Sequence, residues 1–319
     1  MRILALIPGG ISDQLLSFPA LQTLAHTYPQ ATIDVIVEPR SKSSYRVCKH
    51  VHEVLVFDFQ DRNGLADYLN LLGMIRDREY EVVITMEKNW VVGFVLWLNG
   101  IPTRIAYNDG NTLFINNVIP PKTQQYKAFV YHDLLQGLNI NTPCPPLSIN
   151  VPKEDIDWAE YQQQLLGIKS TGYILIHGGA SPLTVAQGIN KIYPVPKWQR
   201  IIEDIQRQQP DIPIVLLCGP DDFEWTTSIL NVCPSVKVAN TPDLGKLSAM
   251  IAGANLMLCT DSAPMQLSVA VGTYTIALFG PTQGQYLLPD DDRFVAIQSL
   301  SDEIADIPTD NILAKVWQE

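Results

Sequence analysis

Four short segments place polar or charged residues beside glycine or proline, in turns and loops that follow apolar runs. The first is Pro8-Gly9-Gly10-Ile11-Ser12-Asp13. A glycine turn that opens a helix exposes backbone N–H groups, and the helix dipole keeps a carboxylate there ionised. Asp13 is therefore a candidate general base. The simpler reading of the same residues is a helix N-cap by Ser12 or Asp13. A G-x-G-x-x-G dinucleotide fingerprint needs another glycine register, and an acid in this turn repels pyrophosphate, so NAD is disfavoured.

The second segment is Lys191-Ile192-Tyr193-Pro194, in a long loop after the run Tyr173–Ile176. Pro194 suits the first turn of a helix carrying Trp198. Lys191, on a loop at a strand's carboxyl end, can reach an anionic ligand; a solvated surface lysine is the simpler alternative. The third segment runs from Leu256 to Gln266. A strand ends, Thr260, Asp261 and Ser262 follow, and Ala263-Pro264 starts a helix whose N-terminal amides suit a phosphate. Again, Asp261 or Ser262 could serve only as a cap. The fourth segment, Gly280-Pro281-Thr282, is weak alone. His177 is read as following a strand and facing the same side, with no partner visible in the sequence.

These segments must be positioned by an alternation of short β-branched runs and helical patterns. The first half offers strands at Ile3–Ile7, Thr32–Val37, Glu53–Phe57, Val82–Thr85 and Arg104–Ala106. A helix over Gln14–Tyr28 has Leu15, Phe18, Leu21, Leu24 and Ala25 on one face. The proline-rich stretch from Asn139 to Pro152 reads as a linker. The pattern then restarts, with strands at Tyr173–Ile176, Ile214–Cys218, Val236–Val238, Leu256–Cys259 and Thr275–Phe279. Helices are expected over Glu154–Leu166, Trp198–Gln208, Leu244–Gly253 and Pro264–Val271. This predicts an α/β chain of two Rossmann-like domains, 1–152 and 153–319, each with a parallel sheet. Ligands are expected at the carboxyl ends of the strands, in a cleft where the domains face each other. The C-terminal helix is allowed to return onto the first domain.

Composition narrows the function. The 319 residues carry 22 Lys+Arg and 33 Asp+Glu, a net charge of −11, which argues against nucleic acid as the main partner. Residues 1–150 hold 12 basic and 13 acidic residues; residues 151–319 hold 10 and 20. The first half has one basic cluster, Arg40, Lys42, Arg46 and Lys49. Five cysteines without a C-x-x-C pair suggest neither a disulfide framework nor a zinc site, and point to a reducing compartment. No secretory leader pattern is read at the start. The apolar stretch Trp90–Leu98 is too short to cross a bilayer. Asp155-Ile156-Asp157 and Asp290-Asp291-Asp292 imitate a D-x-D metal motif, but the first opens a helix and the second lies in a polar loop after a proline.

Together the segments resemble glycosyltransferase family 9, the ADP-heptose:lipopolysaccharide heptosyltransferases. The matching elements are Ile11-Ser12-Asp13 with Phe18-Pro19-Ala20-Leu21, and Lys191-x-Tyr193-Pro194-x-x-x-Trp198. Further along come Gly219 with Glu224, Thr260-Asp261-Ser262-x-x-Met265-x-Leu267, and Leu278-Phe279-Gly280-Pro281-Thr282. Ser12, Tyr193, Ala263 and Gln266 depart from the family's usual residues. The resemblance implies a GT-B architecture with acceptor bound to the first domain and sugar nucleotide to the second. It implies inverting transfer of heptose or a related sugar from a nucleotide diphosphate, ADP-heptose, to a hydroxyl of a lipopolysaccharide core or other glycan. Asp13 would be the base and Lys191 would stabilise the leaving diphosphate. Thr260, Asp261, Ser262, Ala263, Glu224 and His177 would serve the donor, and Arg40, Lys42 and Arg46 the anionic acceptor. No metal and no cofactor are implied. The location implied is cytoplasmic, including the cytoplasmic face of the inner membrane, with peripheral membrane contact and no transmembrane segment. A non-catalytic sugar-nucleotide or glycan-binding protein on the same fold is the alternative.

Overall fold

The run Arg2–Ile7 can be apolar almost throughout because it forms a central strand, β1, covered on both faces. A computed structural model describes residues 1–59, 63–108, 112–179 and 188–317. The chain divides into two units, Met1–Ser148 and Ile149–Glu319.

In the first unit, β1 is joined by β2 (Thr32–Val37), β3 (Glu53–Val56), β4 (Val82–Thr85), β5 (Thr103–Tyr107) and β6 (Asn117–Ile119). The sheet order is β3-β2-β1-β4-β5-β6, and every pairing is parallel. Parallel pairing requires crossovers, supplied in part by α1 (Ile11–Thr27), α2 (Leu65–Arg76) and α3 (Trp90–Leu98). A further helix, α4 (Lys127–Asp133), packs on α1. Strand order reverses between β1 and β4, which opens a crevice at their carboxyl ends.

The second unit repeats this plan. Its helix α5 (Lys153–Leu165) precedes β7 (Ile174–His177), β8 (Ile214–Cys218), β9 (Lys237–Asn240), β10 (Leu256–Thr260), β11 (Thr275–Phe279) and β12 (Phe294–Gln298). The order is β12-β11-β10-β7-β8-β9, all parallel. The reversal here lies between β7 and β10. Helix α6 (Val195–Gln208) buries Trp198, Ile201, Ile202 and Ile205, one stripe at helical spacing. The helices α7 (Phe223–Val232), α8 (Leu244–Ala252) and α9 (Ala263–Val271) follow. The C-terminal helix α10 (Thr309–Trp317) belongs to the second unit. It packs on α6, β11 and β12, and buries Ile312 in the same core as Trp198 and Leu278.

Two departures from the sequence reading matter for the site. His177 is the last residue of β7 rather than a residue beyond it. Residues 39–47, for which no element was expected, form a 3₁₀ segment. This segment is tied to the turn after β1 by buried polar groups. Ser41 donates to the Gly9 carbonyl at 2.8 Å, and the Tyr45 hydroxyl donates to Gln14 Oε1 at 2.8 Å. Gln14, fully buried, donates in turn to the Ile7 carbonyl at 2.9 Å.

Gln14 thus joins strand, turn and 3₁₀ segment. Replacing it with methionine keeps the volume and removes the side-chain bonds to the Ile7 carbonyl and the Tyr45 hydroxyl. A loss of about 2 kcal/mol is expected. Amide exchange across β1 and α1 should then be roughly thirtyfold faster.

Candidate functional site

In the first unit the helix N-cap is Gly10, not Ser12 or Asp13, and α1 begins at Ile11. Asp13 stands in the third helical position. Its Oδ2 accepts from the Gly10 N–H at 3.0 Å, half of a capping box. Gly9 has φ +103°, and a Cβ there would lie 2.4 Å from Asp13 Oδ2. Glycine is needed both for the backbone and for the carboxylate beside it. Capping occupies one oxygen only. Asp13 Oδ1 accepts from Lys127 Nζ at 2.5 Å and from the Tyr131 hydroxyl at 2.8 Å. Burial, followed by the neighbouring Asp13 charge, pushes the Tyr131 phenol well above its usual range. Helix α4 presents both donors four residues apart, on one helical face. A buried bond between Thr23 Oγ1 and His132 Nε2, 3.0 Å, ties α4 to α1.

Arg40, Lys42 and Arg46 are exposed on the 3₁₀ segment that Ser41 anchors to Gly9. At three residues per turn, Arg40 and Arg46 share a face and Lys42 is offset. Between β2 and the 3₁₀ segment, as the N-cap of the latter, lies a group the sequence reading missed. Glu38 is buried and accepts from the Phe59 N–H at 3.1 Å. Burial, then the charge of Asp58, raises its carboxyl from 4.5 to about 7.

In the second unit, Lys191, Asp261 and Thr282 meet. Asp261 Oδ2 accepts from Lys191 Nζ at 2.5 Å and from Thr282 Oγ1 at 2.8 Å. All three are residues singled out in the sequence, from segments up to 91 positions apart. Lys191 is thus ion-paired, not a free surface cation, and both partners are largely buried. Thr260, just before, is fully buried with its hydroxyl unpartnered. Ser262 is the N-cap of α9, and Ala263 is its first helical residue.

His177 has partners after all. Its Nε2 lies 3.2 Å from Asp222 Oδ1 and its Nδ1 lies 3.3 Å from Ser262 Oγ. Asp222 was missed; its signal was only the turn Gly219-Pro220-Asp221-Asp222. Burial raises the Asp222 carboxyl, but the hydrogen bond and charge of His177 outweigh it, and the net shift is downward. Glu224 is exposed in the first turn of α7. Nearby, a cavity of about 370 Å³ is lined by Trp158, Cys218, Gly219, Pro220, Asn240, Thr241 and Pro242. The Thr241 hydroxyl is buried without a partner. Asp155 sits in the first turn of α5, as its helix-opening pattern suggested.

Two Rossmann-like units, each a parallel sheet with polar side chains gathered where its strand order reverses, make up a GT-B architecture. The chain belongs to glycosyltransferase family 9 (heptosyltransferase), whose model matches residues 69–314. That span includes Lys191, Glu224 and Asp261; Asp13 precedes it. Lipopolysaccharide heptosyltransferase 3 of Escherichia coli K12 is 25% identical, covering 87% of this chain and 82% of that protein. The chloroplastic photosynthetic NDH subunit of subcomplex B 1 of Arabidopsis thaliana is 22% identical, covering 96% and 71%. An E. coli heptosyltransferase solved with ADP-2-deoxy-2-fluoro heptose superposes with a TM-score of 0.77 at 17% identity, covering 100% of this chain and 99% of that one.

Glu38 gives a pH test within the first unit. Below about 4.5 the carboxyl is protonated in folded and unfolded chains alike and costs nothing. Above about 7 the folded state carries a buried charge, so this residue's contribution to stability falls as pH rises between the two values. Glu38→Gln keeps the acceptor for Phe59. The variant should unfold at higher urea than the native chain at pH 8, and the gain should disappear by pH 4.5.

Proposed function

We propose that this glycosyltransferase moves heptose or a related sugar from ADP-heptose to a hydroxyl of a lipopolysaccharide core or other glycan, with inversion and without a metal. The observation that carries the reading is the Lys191–Asp261–Thr282 cluster beside the N-terminus of α9, at the reversal between β7 and β10. The likeness to a heptosyltransferase that binds an ADP-heptose analogue supports the donor.

In this reading the diphosphate lies on the amides of Ser262 and Ala263. Lys191 turns from Asp261 toward it and stabilises the charge that develops on the leaving group. Asp261, relieved of its cation, accepts from sugar hydroxyls or orients the loop. Glu224 accepts from the ribose hydroxyls, and the base occupies the cavity beside Thr241. Asp13 Oδ1 takes the proton of the acceptor hydroxyl as that oxygen bonds the anomeric carbon and the bond to the diphosphate breaks. Lys127 and Tyr131 fix the position of that carboxylate. Arg40, Lys42 and Arg46 meet anionic groups of the acceptor.

The same reading places the first unit at a lipid surface. Trp90 and Trp97 are half-exposed on α3, a helix without a charged residue, and Phe94 stacks on Trp97 at 5.9 Å. Tryptophan favours the headgroup boundary. Trp90→Ser with Trp97→Ser should reduce co-sedimentation with vesicles containing phosphatidylglycerol at least fivefold. Equal sedimentation of the two proteins removes this face as the contact. Self-association of the native chain that the double variant loses assigns it to a second copy instead.

For the reaction itself, calorimetric titration with ADP in EDTA is expected to show saturable binding, weakened about tenfold or more in Lys191→Ala. Asp13→Ala should retain ADP binding and lose transfer by a factor on the order of 10² to 10⁴. Undiminished transfer in Asp13→Ala removes it as the base. ADP binding with no transfer by the native chain to any glycan acceptor points to the non-catalytic alternative.

A further inference from the structure

Ser262 is in the right place to cap α9 and does not. Its backbone is extended, φ −158° and ψ 171°, as an N-cap requires. Serine is among the best capping residues, yet no side-chain cap bond is formed. Because Pro264 has no N–H, the natural target of the hydroxyl is the Met265 amide at the third helical position. Instead, the Ser262 hydroxyl is turned back toward two acceptors that share its single proton, the Thr260 carbonyl at 3.0 Å and His177 Nδ1 at 3.3 Å.

His177 is itself held in place. Asp222, an acceptor-only carboxylate, faces Nε2 at 3.2 Å, so that nitrogen carries a proton. The second Asp222 oxygen accepts from the Gly219 N–H at 2.9 Å. The imidazole is buried against Trp225, ring centroids 6.1 Å apart. The glycines after β7 make room for this arrangement. A Cβ on Gly179 would lie 1.9 Å from Asp222 Oδ1, and one on Gly178 would lie 2.7 Å from the Trp225 ring.

We infer that Asp222 and His177 are positioning residues that hold the Ser262 hydroxyl off the first turn of α9, leaving its amides open to the donor diphosphate. The inference rests on the donor reading above. It adds that the site is kept open by a side-chain relay running from the turn before α7, across the end of β7, to the loop after β10. The relay matters because a serine that caps its own helix competes with the phosphate for the same N–H groups.

The test is a double-mutant cycle on the full chain, with ADP as the probe. His177→Phe keeps a ring against Trp225 and removes both hydrogen bonds. Freed, Ser262 caps α9, and ADP affinity should fall about fivefold, the strength of a typical N-cap. In a Ser262→Ala background, where no hydroxyl remains to compete, the same His177→Phe change should cost less than twofold. Asp222→Ala, read in the same two backgrounds, should follow the same pattern and covers the case in which His177→Phe does not fold. A loss of equal size in both backgrounds overturns the relay and leaves His177 and Asp222 as ordinary structural residues. No loss in either background overturns it as well. Amide exchange at Met265 needs no nucleotide. It should slow in His177→Phe and not in His177→Phe with Ser262→Ala. If the native chain does not bind ADP, the donor reading fails, and this exchange result alone decides whether the relay exists.

Discussion

Everything chemical in this protein depends on the reversal of strand order in its two parallel sheets. Parallel strands all point their carboxyl ends one way, so each loop that leaves a strand for a helix emerges on the same edge. At the reversal, neighbouring strands send their helices to opposite faces of the sheet, and nothing covers the edge between them. In the first unit this edge lies between β1 and β4, and the β1 side carries Gly9, Gly10 and Asp13. In the second it lies between β7 and β10, and the two strands deliver His177 and Asp261. Side chains distant in sequence meet there because the sheet leaves them no other direction.

The second unit is acidic, yet in the proposed function it holds a diphosphate. The structure offers a local solution. Lys191 is paired with Asp261, so the ammonium is already desolvated and aimed at the strand end before an anion arrives. Moving a paired lysine from carboxylate to phosphate trades one charge-assisted bond for another, whereas a solvated lysine first gives up water. The amides of α9 add positive potential that does not depend on net charge. A field that is negative overall then limits which anions bind, and only those that can use these few donors are held.

Much of the fold was legible in the sequence, and the reasons differ by element. The central strands were readable because burial on both faces leaves uninterrupted apolar runs, as in Arg2–Ile7 and Leu256–Thr260. Strand β12 and the 3₁₀ segment were not, because half-exposed and polar residues break the pattern in Phe294–Gln298 and Pro39–Val47. Among the candidate site residues, Asp13, Asp261 and Thr282 were readable from a glycine turn or an apolar run close before them, and Lys191 from its place in a loop ahead of Tyr193-Pro194. Lys127 and Tyr131 were not. Their four-residue spacing on a short helix is ordinary, and their meaning lies in a carboxylate 114 positions earlier. Asp222 and Glu38 were hidden for the same reason: a turn acid and a strand-end acid are common, and only burial and a partner make them unusual.

The two units share more than topology. In each, a carboxylate at the reversal gives one oxygen to a lysine ammonium and a hydroxyl together. Asp13 Oδ1 holds Lys127 and Tyr131, and Asp261 Oδ2 holds Lys191 and Thr282. Each such oxygen is fixed in place by two donors that lie far from it in sequence. In the proposed reaction, an anionic acceptor group competes with Asp13 for the Lys127 ammonium, and the donor diphosphate competes with Asp261 for Lys191. Each unit would then meet its substrate through the same device, an ion pair whose ammonium an incoming anion takes over.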